Sequence, residues 1–332
     1  MNNFQQTDPW CLTEEGLQVN NHFPSEDIFS IGNGQIVQRA NFEEYYSGDS
    51  IMGSYIEGIN YPENAEVPKW KMESDKATIN APNWVGVIVR LNDETLDLAT
   101  WEVQNFKRVL NMHEGLLERT FEAISAKGHH IQVSVKRFLS MSEKEVGAIS
   151  YSIKSINFEG RISFMPIVDG DLKDQLQVVN EPVWNVLQTK TQQDVSHVWV
   201  KIRRTDFHIC IAQTYVFYKN NEQLNIIPSK IEKEKSAGFN VGTDVKKGDT
   251  LCLNKFVAIL NSLNHPRNEM TDQACTLARA SKQKSWNRLF EEHTAEWAEK
   301  WKSSGTFEDD LPENQKNNRY KQFRIFQGFT GF

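Results

Sequence analysis

The sequence predicts a mainly β protein, a large antiparallel sandwich or barrel with a helical C-terminal part. Three observations carry this reading. Between Asp27 and Leu260, short segments alternate apolar and polar residues with a period of two. Turn signals separate them, with no helical pattern in between, which argues against a βαβ sheet. After Leu260 the period changes to that of a helix.

The first ordered signal is Phe29 to Arg39, FSIGNGQIVQR. Gly32-Asn33-Gly34 is a turn signature, because all three residues tolerate φ > 0, and the flanking Ile31, Ile36 and Val37 read as strand. Val85, Val87 and Val89 then alternate with Gly86, Ile88 and Arg90, and Ile131, Val133 and Val135 with Gln132, Ser134 and Lys136. Ile149, Tyr151 and Ile153 repeat the pattern, as do Val198, Val200 and Ile202. The runs 207–217 and 250–260 are more continuously apolar, as expected of strands covered on both faces. Asn92-Asp93, Lys127-Gly128, Glu159-Gly160, Asp169-Gly170 and Lys247-Gly248-Asp249 supply the turns. No internal repeat is present, which disfavours a propeller.

Residues 268–282 carry helix formers, and Ser285 to Lys302 has the stronger pattern. Trp286, Leu289, Phe290, His293, Trp297 and Trp301 fall on one helical face, and Glu291, Glu292, Glu296, Glu299 and Lys300 cover the other. Ser303-Ser304-Gly305 ends this helix. A polar linker with Asp309, Asp310 and Pro312 precedes a last helix, Glu313 to Gln327, striped by Tyr320, Phe323 and Phe326. Three aromatics on so short a helix need a partner surface, so the expectation is a stranded helix in an interrupted domain.

Composition bounds function. A chain of 332 residues can bury a large core, and its 19 Phe, 9 Trp and 8 Tyr make aromatic surfaces abundant. A net charge of -7 argues against a nucleic-acid partner. No apolar run reaches the roughly 18 residues a membrane span needs. The N-terminus is polar and acidic without the basic-then-apolar order of a secretory signal. Cys11, Cys210, Cys252 and Cys275 lie far apart, with no C-x-x-C pair, so free thiols in a cytoplasmic protein are expected and no zinc site.

No active site stands out by residue type. Glu43-Glu44, read as strand, would point to opposite faces and could not act on one substrate. Asp169-Gly170-Asp171 reads as a turn between strands, because calcium needs more oxygen ligands at regular spacing. His129-His130 is a poor chelate beside a Lys-Gly turn. His293, on the apolar helix stripe, reads as a core histidine bonded to a backbone carbonyl. The motifs of serine hydrolases, zinc proteases and phosphate-binding loops are absent. The expected catalytic residues in this chain are none, the expected metal ligands none, and the substrate-binding residues unknown.

The order of segments resembles the N-terminal part of glycoside hydrolase family 65, the maltose, trehalose and kojibiose phosphorylases. Glu26 through Arg39 is similar to E-x-x-F-S-x-G-N-G-x-x-x-x-R, and Gly53-Ser54-Tyr55-Ile56-Glu57-Gly58 to G-T-Y-x-x-G. Pro82-Asn83-Trp84 resembles P-N-W. Leu110 to Arg119 resembles L-D-M-x-x-G-x-L-x-R, with Asn111 departing from the usual Asp. Arg137 to Ser140 resembles R-x-x-S. His293, Trp297 and Trp301 resemble H-x-x-x-W-x-x-x-W, and Gln315, Arg319 and Phe326-Gln327 resemble the start of the family's helical barrel.

The resemblance implies three parts: a galactose-mutarotase-like β super-sandwich over residues 1–264, a helical linker over 265–304, and a truncated start of an (α/α)6 barrel over 305–332. In the family, a barrel glutamate protonates the glycosidic oxygen while phosphate attacks the anomeric carbon from the opposite face. The disaccharide is cleaved with inversion to glucose and β-glucose 1-phosphate. Phosphate supplies the nucleophile, so one protein carboxylate suffices. The family's acid, its W-D-x-E sugar motif and its phosphate-binding serines all belong to the barrel and have no counterpart here. Phe326-Gln327 runs straight into Gly328-Phe329-Thr330-Gly331, similar to a G-F-T-G found further along in the family, which reads as a deletion, frameshift or boundary.

The resemblance implies disaccharide and phosphate as ligands, phosphate as co-substrate with no other cofactor, a homodimer, and neither membrane nor nucleic acid. This chain is expected to be inactive alone. The alternative is a free-standing carbohydrate-binding or oligomerisation sandwich, with Trp70, Trp84 and Trp101 exposed to stack on sugar rings.

Overall fold

The computed structural model of the protein describes residues 8–18, 22–60, 78–171, 183–203, 205–304 and 312–328. Trp70, Gly305, Asp309, Asp310 and Phe329 onward lie outside the described residues.

The alternating segments form three antiparallel sheets with open edges, which decides for a sandwich over a closed barrel. The large sheet runs, in spatial order, β1 (Cys11–Glu15), β8 (Glu102–Asn111), β9 (Leu116–Ile124), β10 (His130–Leu139), β11 (Val146–Ser155), β19 (Thr250–Asn261), β15 (His208–Lys219), β14 (Ser196–Ile202) and β13 (Trp184–Thr191). A short β16 (Glu222–Gln223) pairs with β15. A second sheet orders β17 (Ser229–Glu232), β18 (Ser236–Val245), β12 (Gly160–Asp169), β6 (Val87–Leu91) and β7 (Glu94–Thr95). A third, small sheet joins β2 (Ile31–Gly32), β3 (Ile36–Gln38), β4 (Ser54–Asn60) and β5 (Thr78–Asn80).

The period-2 pattern places the core. In β10, Ile131, Val133 and Val135 are buried while Gln132 and Lys136 are exposed. The same parity turns Tyr151 of β11 and Phe217 of β15 towards Phe164 of the second sheet, with ring centroids 5.9 and 5.6 Å from it. The continuously apolar β15 and β19 are covered on both faces, as their composition predicts. Leu251, Leu253, Val257 and Ile259 join the sandwich core, while Ala258 and Leu260 of β19 meet Cys210 and Ala212 of β15 beneath a helix.

That helix, α2 (Met270–Ser303), is two helices joined at Ser285, matching the two stretches read from the sequence. Its first half seats Met270, Ala274, Cys275 and Ala278 on the small residues of β15 and β19. Its second half seats Leu289 with Trp286 and Phe290 on Phe138, Val146, Ala148 and Phe256. The segment from Asp27 is not wholly β: α1 (Phe23–Ile28) is a helix with Pro24 in its first turn, where a missing N–H costs nothing.

The final helix, α3 (Pro312–Gln327), corrects the expectation of a stranded element. Phe323 is fully buried, stacked on Trp297 with centroids 5.0 Å apart, and Phe326 lies edge-on to Trp301 at 5.2 Å. Tyr320 donates from its hydroxyl to the Ile28 carbonyl at 3.1 Å. The stripe has a partner, which is the aromatic face of α2 and the end of α1.

Ser285 sits at φ 68°, ψ 164°, a region that glycine occupies readily and other residues at a cost of roughly 1–3 kcal/mol. Ser285→Gly should therefore raise stability by about 1 kcal/mol, after allowing for glycine's greater unfolded-state entropy. Urea unfolding measures this, and a loss of stability would show that Ser285 is held there by contacts that outweigh its strain.

Candidate functional site

The inward parity of the large sheet carries an unexpected row. Arg108, Arg119, Arg137, Tyr151, Lys255 and Gln213 lie in phase with the apolar core residues of six neighbouring strands, β8, β9, β10, β11, β19 and β15. Arg108 and Arg119 are direct cross-strand partners, and all six side chains are at most 5 % exposed. Like charges placed side by side in a core need counter-charges and a full set of hydrogen bonds.

Residues 39–53, between β3 and β4, supply the carboxylates that face Arg119 and Arg137. This segment has no strand geometry, so the alternation rule does not apply, and Glu43 and Glu44 turn to the same place. This corrects the sequence reading, in which the two could not act together. Arg119 grips Glu44 with both nitrogens, Nη2 reaching Oε2 at 2.6 Å, and reaches Glu43 Oε2 at 2.7 Å. Arg137 Nη1 pairs with Glu43 Oε1 at 2.8 Å, and its Nη2 donates to the Arg39 carbonyl at 3.0 Å. Tyr151 donates to Glu44 Oε2 at 3.3 Å. The Arg119 guanidinium also lies 4.6 Å from the Phe42 ring centroid.

Electrostatics follow the geometry. Burial works to raise the Glu43 carboxyl, but Arg137 and Arg119 pull it below its ordinary value. Burial likewise works to lower Arg119, and Glu44 and Glu43 reverse that and raise it. These groups stay ionised through the physiological range, so neither arginine nor Glu43 is poised to transfer a proton. Lys255 donates to the Ile167 and Gly86 carbonyls at 2.8 and 3.0 Å, tying the large sheet to the second one. Burial drives its amine well below the usual lysine range.

Beside this lies a second buried group. Arg108 faces Glu14 Oε2 at 3.5 Å and His22 Nε2 at 3.3 Å, amid the rings of Phe29, Phe42 and Phe106. Glu26 accepts from Ser50 and from the Ile51 N–H at 2.8 Å, and burial raises its carboxyl. Burial, then Arg108, Arg119 and Arg39, push His22 down to about 2, so it stays neutral.

The glycine turn connects these clusters to the helices. Of its three residues Gly32, Asn33 and Gly34, Gly34 alone has positive φ, at 89°. Asn33 is buried: its Oδ1 accepts from the Ile36 and Gln35 N–H groups, while its Nδ2 donates to the Ser140 and Lys144 carbonyls at 2.9 and 2.8 Å. That same 140–145 loop gives the Met141 N–H to His293 Nδ1 at 3.1 Å. His293 is thus a core histidine, but it accepts from a backbone amide where a bond to a carbonyl was expected. Gln327, at the end of α3, caps the turn. Its carbonyl accepts from the Gly34 N–H at 3.3 Å, and a Cβ on Gly32 would stand 2.5 Å from that oxygen. Across the molecule, Gly115 at φ 62° lets Trp297 approach so closely that a Cβ would lie 2.0 Å from Nε1. Trp301 Nε1 donates to the Met112 carbonyl at 3.1 Å.

The remaining sequence candidates disperse. His129 pairs with Glu94 at 2.6 Å and His130 with Glu122 at 2.7 Å, each separately. Asp169 accepts from the Asp171 N–H at 2.9 Å, a local turn, and Asp171 pairs with Lys235. Among the described residues no group of three or more His, Cys, Asp or Glu side chains could hold a metal ion. The cysteines are free, yet Cys210 and Cys275 share one cluster, and Cys275 Sγ lies 3.5 Å from His197 Nδ1. Sequence separation had concealed that proximity. Trp84 is no sugar platform: it is fully buried, donates to Ser54 Oγ at 3.0 Å and packs on Gly147. Trp101 is half-buried against the core. No helix among the described residues is long and apolar enough to cross a membrane.

Fold and framework define a class: an antiparallel β super-sandwich bound by a C-terminal helical arm, its polar motifs buried as structure. Residues 12–300 match the family described as glycosyl hydrolase family 65, N-terminal domain, and the chain belongs to that family. It is 26% identical over 329 residues to a maltose phosphorylase of Bacillus subtilis (strain 168), covering 98% of this chain and 43% of that protein. It is 23% identical to an alpha,alpha-trehalose phosphorylase of Thermoanaerobacter brockii, covering 96% and 42%. A solved structure assigned as a kojibiose phosphorylase from human microbiome shares the fold, with TM-score 0.83 and 22% identity, over 98% of this chain and 42% of that one. The chain therefore spans less than half the length of these relatives.

Four histidines are buried, His22, His197, His208 and His293, and burial lowers each of them, His22 and His293 most strongly. Burial lowers His293 to about 4, opposed by the Glu114 and Gly115 backbone, and His22 lies lower still. Unfolded histidine takes its proton near pH 6.5, so stability is complete above that pH and falls as pH drops towards 4. At pH 5 His22 and His293 should each cost about 2 kcal/mol. Urea unfolding of His293→Gln should show a loss of stability between pH 6.5 and 5 smaller than that of the parent chain by about 1.5 kcal/mol. A loss equal to that of the parent chain would refute this assignment.

Proposed function

We propose that this chain is the non-catalytic scaffold of a disaccharide phosphorylase. The complete protein would cleave an α-glucosidic disaccharide with inorganic phosphate, by inversion, to give glucose and β-glucose 1-phosphate. A glutamate of a helical barrel would protonate the glycosidic oxygen as phosphate attacks the opposite face of the anomeric carbon. The relatives that support this reading are named as maltose and trehalose phosphorylases, and this chain aligns with less than half of each.

The observation that carries the proposal is where the family-like motif residues lie. Asn33, Trp84, Arg119, Arg137, His293 and Trp297 are all buried, each at most 5 % exposed. They hold turns, sheets and helices to one another, and Arg119 and Arg137 among them are occupied by Glu43 and Glu44. Such a framework positions a neighbouring catalytic part. The ending of the aromatic helix α3 on the glycine turn gives the scaffold a fixed seat from which a barrel could continue.

Incubating this chain with maltose, trehalose or kojibiose and inorganic phosphate should release no glucose 1-phosphate in a coupled assay. Enzyme-concentration-dependent turnover of any of the three would overturn the scaffold reading.

A further inference from the structure

The only Asn-Gly pair in the chain, Asn33-Gly34, lies in the turn between β2 and β3. Such a pair carries a reactivity of its own. The backbone nitrogen of the second residue can attack the side-chain carbonyl carbon of the asparagine, and glycine has no Cβ to obstruct the approach. A succinimide ring forms and ammonia leaves. One water then opens the ring to aspartate or isoaspartate. Water is the only co-reactant, and nothing is oxidised or reduced.

In this fold both reacting groups are held. Asn33 is buried, and its amide is fixed at each end. Oδ1 accepts from the Gln35 and Ile36 N–H groups at 3.1 and 2.9 Å, and Nδ2 donates to the Ser140 and Lys144 carbonyls. The nucleophile is held from the opposite direction, because the Gly34 N–H donates to the carbonyl of buried Gln327 at 3.3 Å. The cover of the turn is therefore the last turn of α3. Three contacts keep it down: Phe323 stacked on Trp297, the Tyr320 hydroxyl on the Ile28 carbonyl, and Arg324 Nη1 on the Asp27 carbonyl at 3.2 Å. The helix contributes no strand to any of the three sheets. Its release is a local opening, which a folded sandwich permits far more often than global unfolding.

We propose that Asn33-Gly34 is a deamidation site gated by the seating of α3. With the helix in place the pair is inert. When α3 leaves, the Gly34 N–H loses its acceptor and meets solvent, which takes its proton. The nitrogen then bonds to Asn33 Cγ and the side-chain nitrogen departs as ammonia. The change runs one way. Aspartate has no N–H to give to the Ser140 and Lys144 carbonyls, so the tie from the turn to the 140–145 loop is lost, and with it the support of the loop's bond to His293. A chain whose last helix has been off its seat is marked in its covalent structure. The gate is independent of the phosphorylase reading, since it needs neither sugar nor phosphate.

Peptide mass mapping of the whole chain, held in mildly alkaline buffer and sampled over time, tests the gate. Asn33 should convert at least about tenfold more slowly in the native chain than in the chain unfolded by urea. Phe323→Ala should raise the native rate about tenfold or more, and Tyr320→Phe about threefold, because the first removes a buried ring and the second one hydrogen bond. Val200→Ala opens a cavity in β14, far along the large sheet, and should leave the rate unchanged although it lowers global stability. If Phe323→Ala does not fold, Tyr320→Phe decides alone. Equal conversion in the native and urea-unfolded chains would overturn the proposal. So would an unchanged rate in a folded α3 variant, or acceleration by Val200→Ala as large as that by Tyr320→Phe.

Discussion

The grip of Arg119 on Glu43 and Glu44 is the constraint on which the rest of this structure depends. An arginine at most 5 % exposed forfeits hydration worth several kcal/mol, which only close, well-aligned carboxylates return. Arg119 has both, one of them bidentate, and Arg137 closes the group from the next strand. The partners come from a segment with no strand ladder of its own. The ion pairs therefore do for residues 39–46 what backbone pairing does for the sheets. They fix the segment on the inner face of the sandwich, and with it the hairpin that precedes it.

From that hairpin the order passes outward. Asn33 uses both ends of its amide, one to close its own turn and the other to hold the 140–145 loop. The loop in turn binds His293 and, through Glu143, Lys284, so both halves of α2 are tied to it on either side of Ser285. Trp297 presses on Gly115, Trp301 reaches Met112, and α3 closes over both before its last carbonyl returns to Gly34. The resulting circuit runs from turn to loop to helix to helix and back to the turn. The family-like motif residues Asn33, His293, Trp297 and Trp301 are joints of this circuit.

Much of this was legible in the sequence, and the limits have physical causes. Period-2 alternation located β6, β10, β11 and β14, and the doubly apolar runs correctly announced that β15 and β19 are covered on both sides. The helix stripe from Trp286 to Trp301 was sound as well. The ionic row was missed although its signal was present. Arg119 and Arg137 stand at inward positions among Leu117, Phe121, Val135 and Leu139, and Lys255 interrupts Leu253 and Val257 in the same phase. A charge in phase with a buried face marks a buried pair as surely as an out-of-phase charge marks solvent. The partners, Glu43 and Glu44, could not be found this way, because their segment follows no periodic rule. The docking of α3 was hidden for another reason: its cover combines Trp297 and Trp301 of α2 with Ile28 and Gly34, which lie nearly 300 positions away. The proximity of Cys275 to His197 is likewise a product of the fold, set by how α2 lies on the sheet.

A double-mutant cycle on Arg119→Met and Glu44→Gln, followed by urea unfolding of the whole chain, addresses the central interaction most directly. Each single change should cost about 3 kcal/mol or more, because it strands a buried charge, and the double variant should recover at least about 2 kcal/mol of the summed loss. Additive effects with each change costing under about 1 kcal/mol would show that the sandwich stands without the arginine grip.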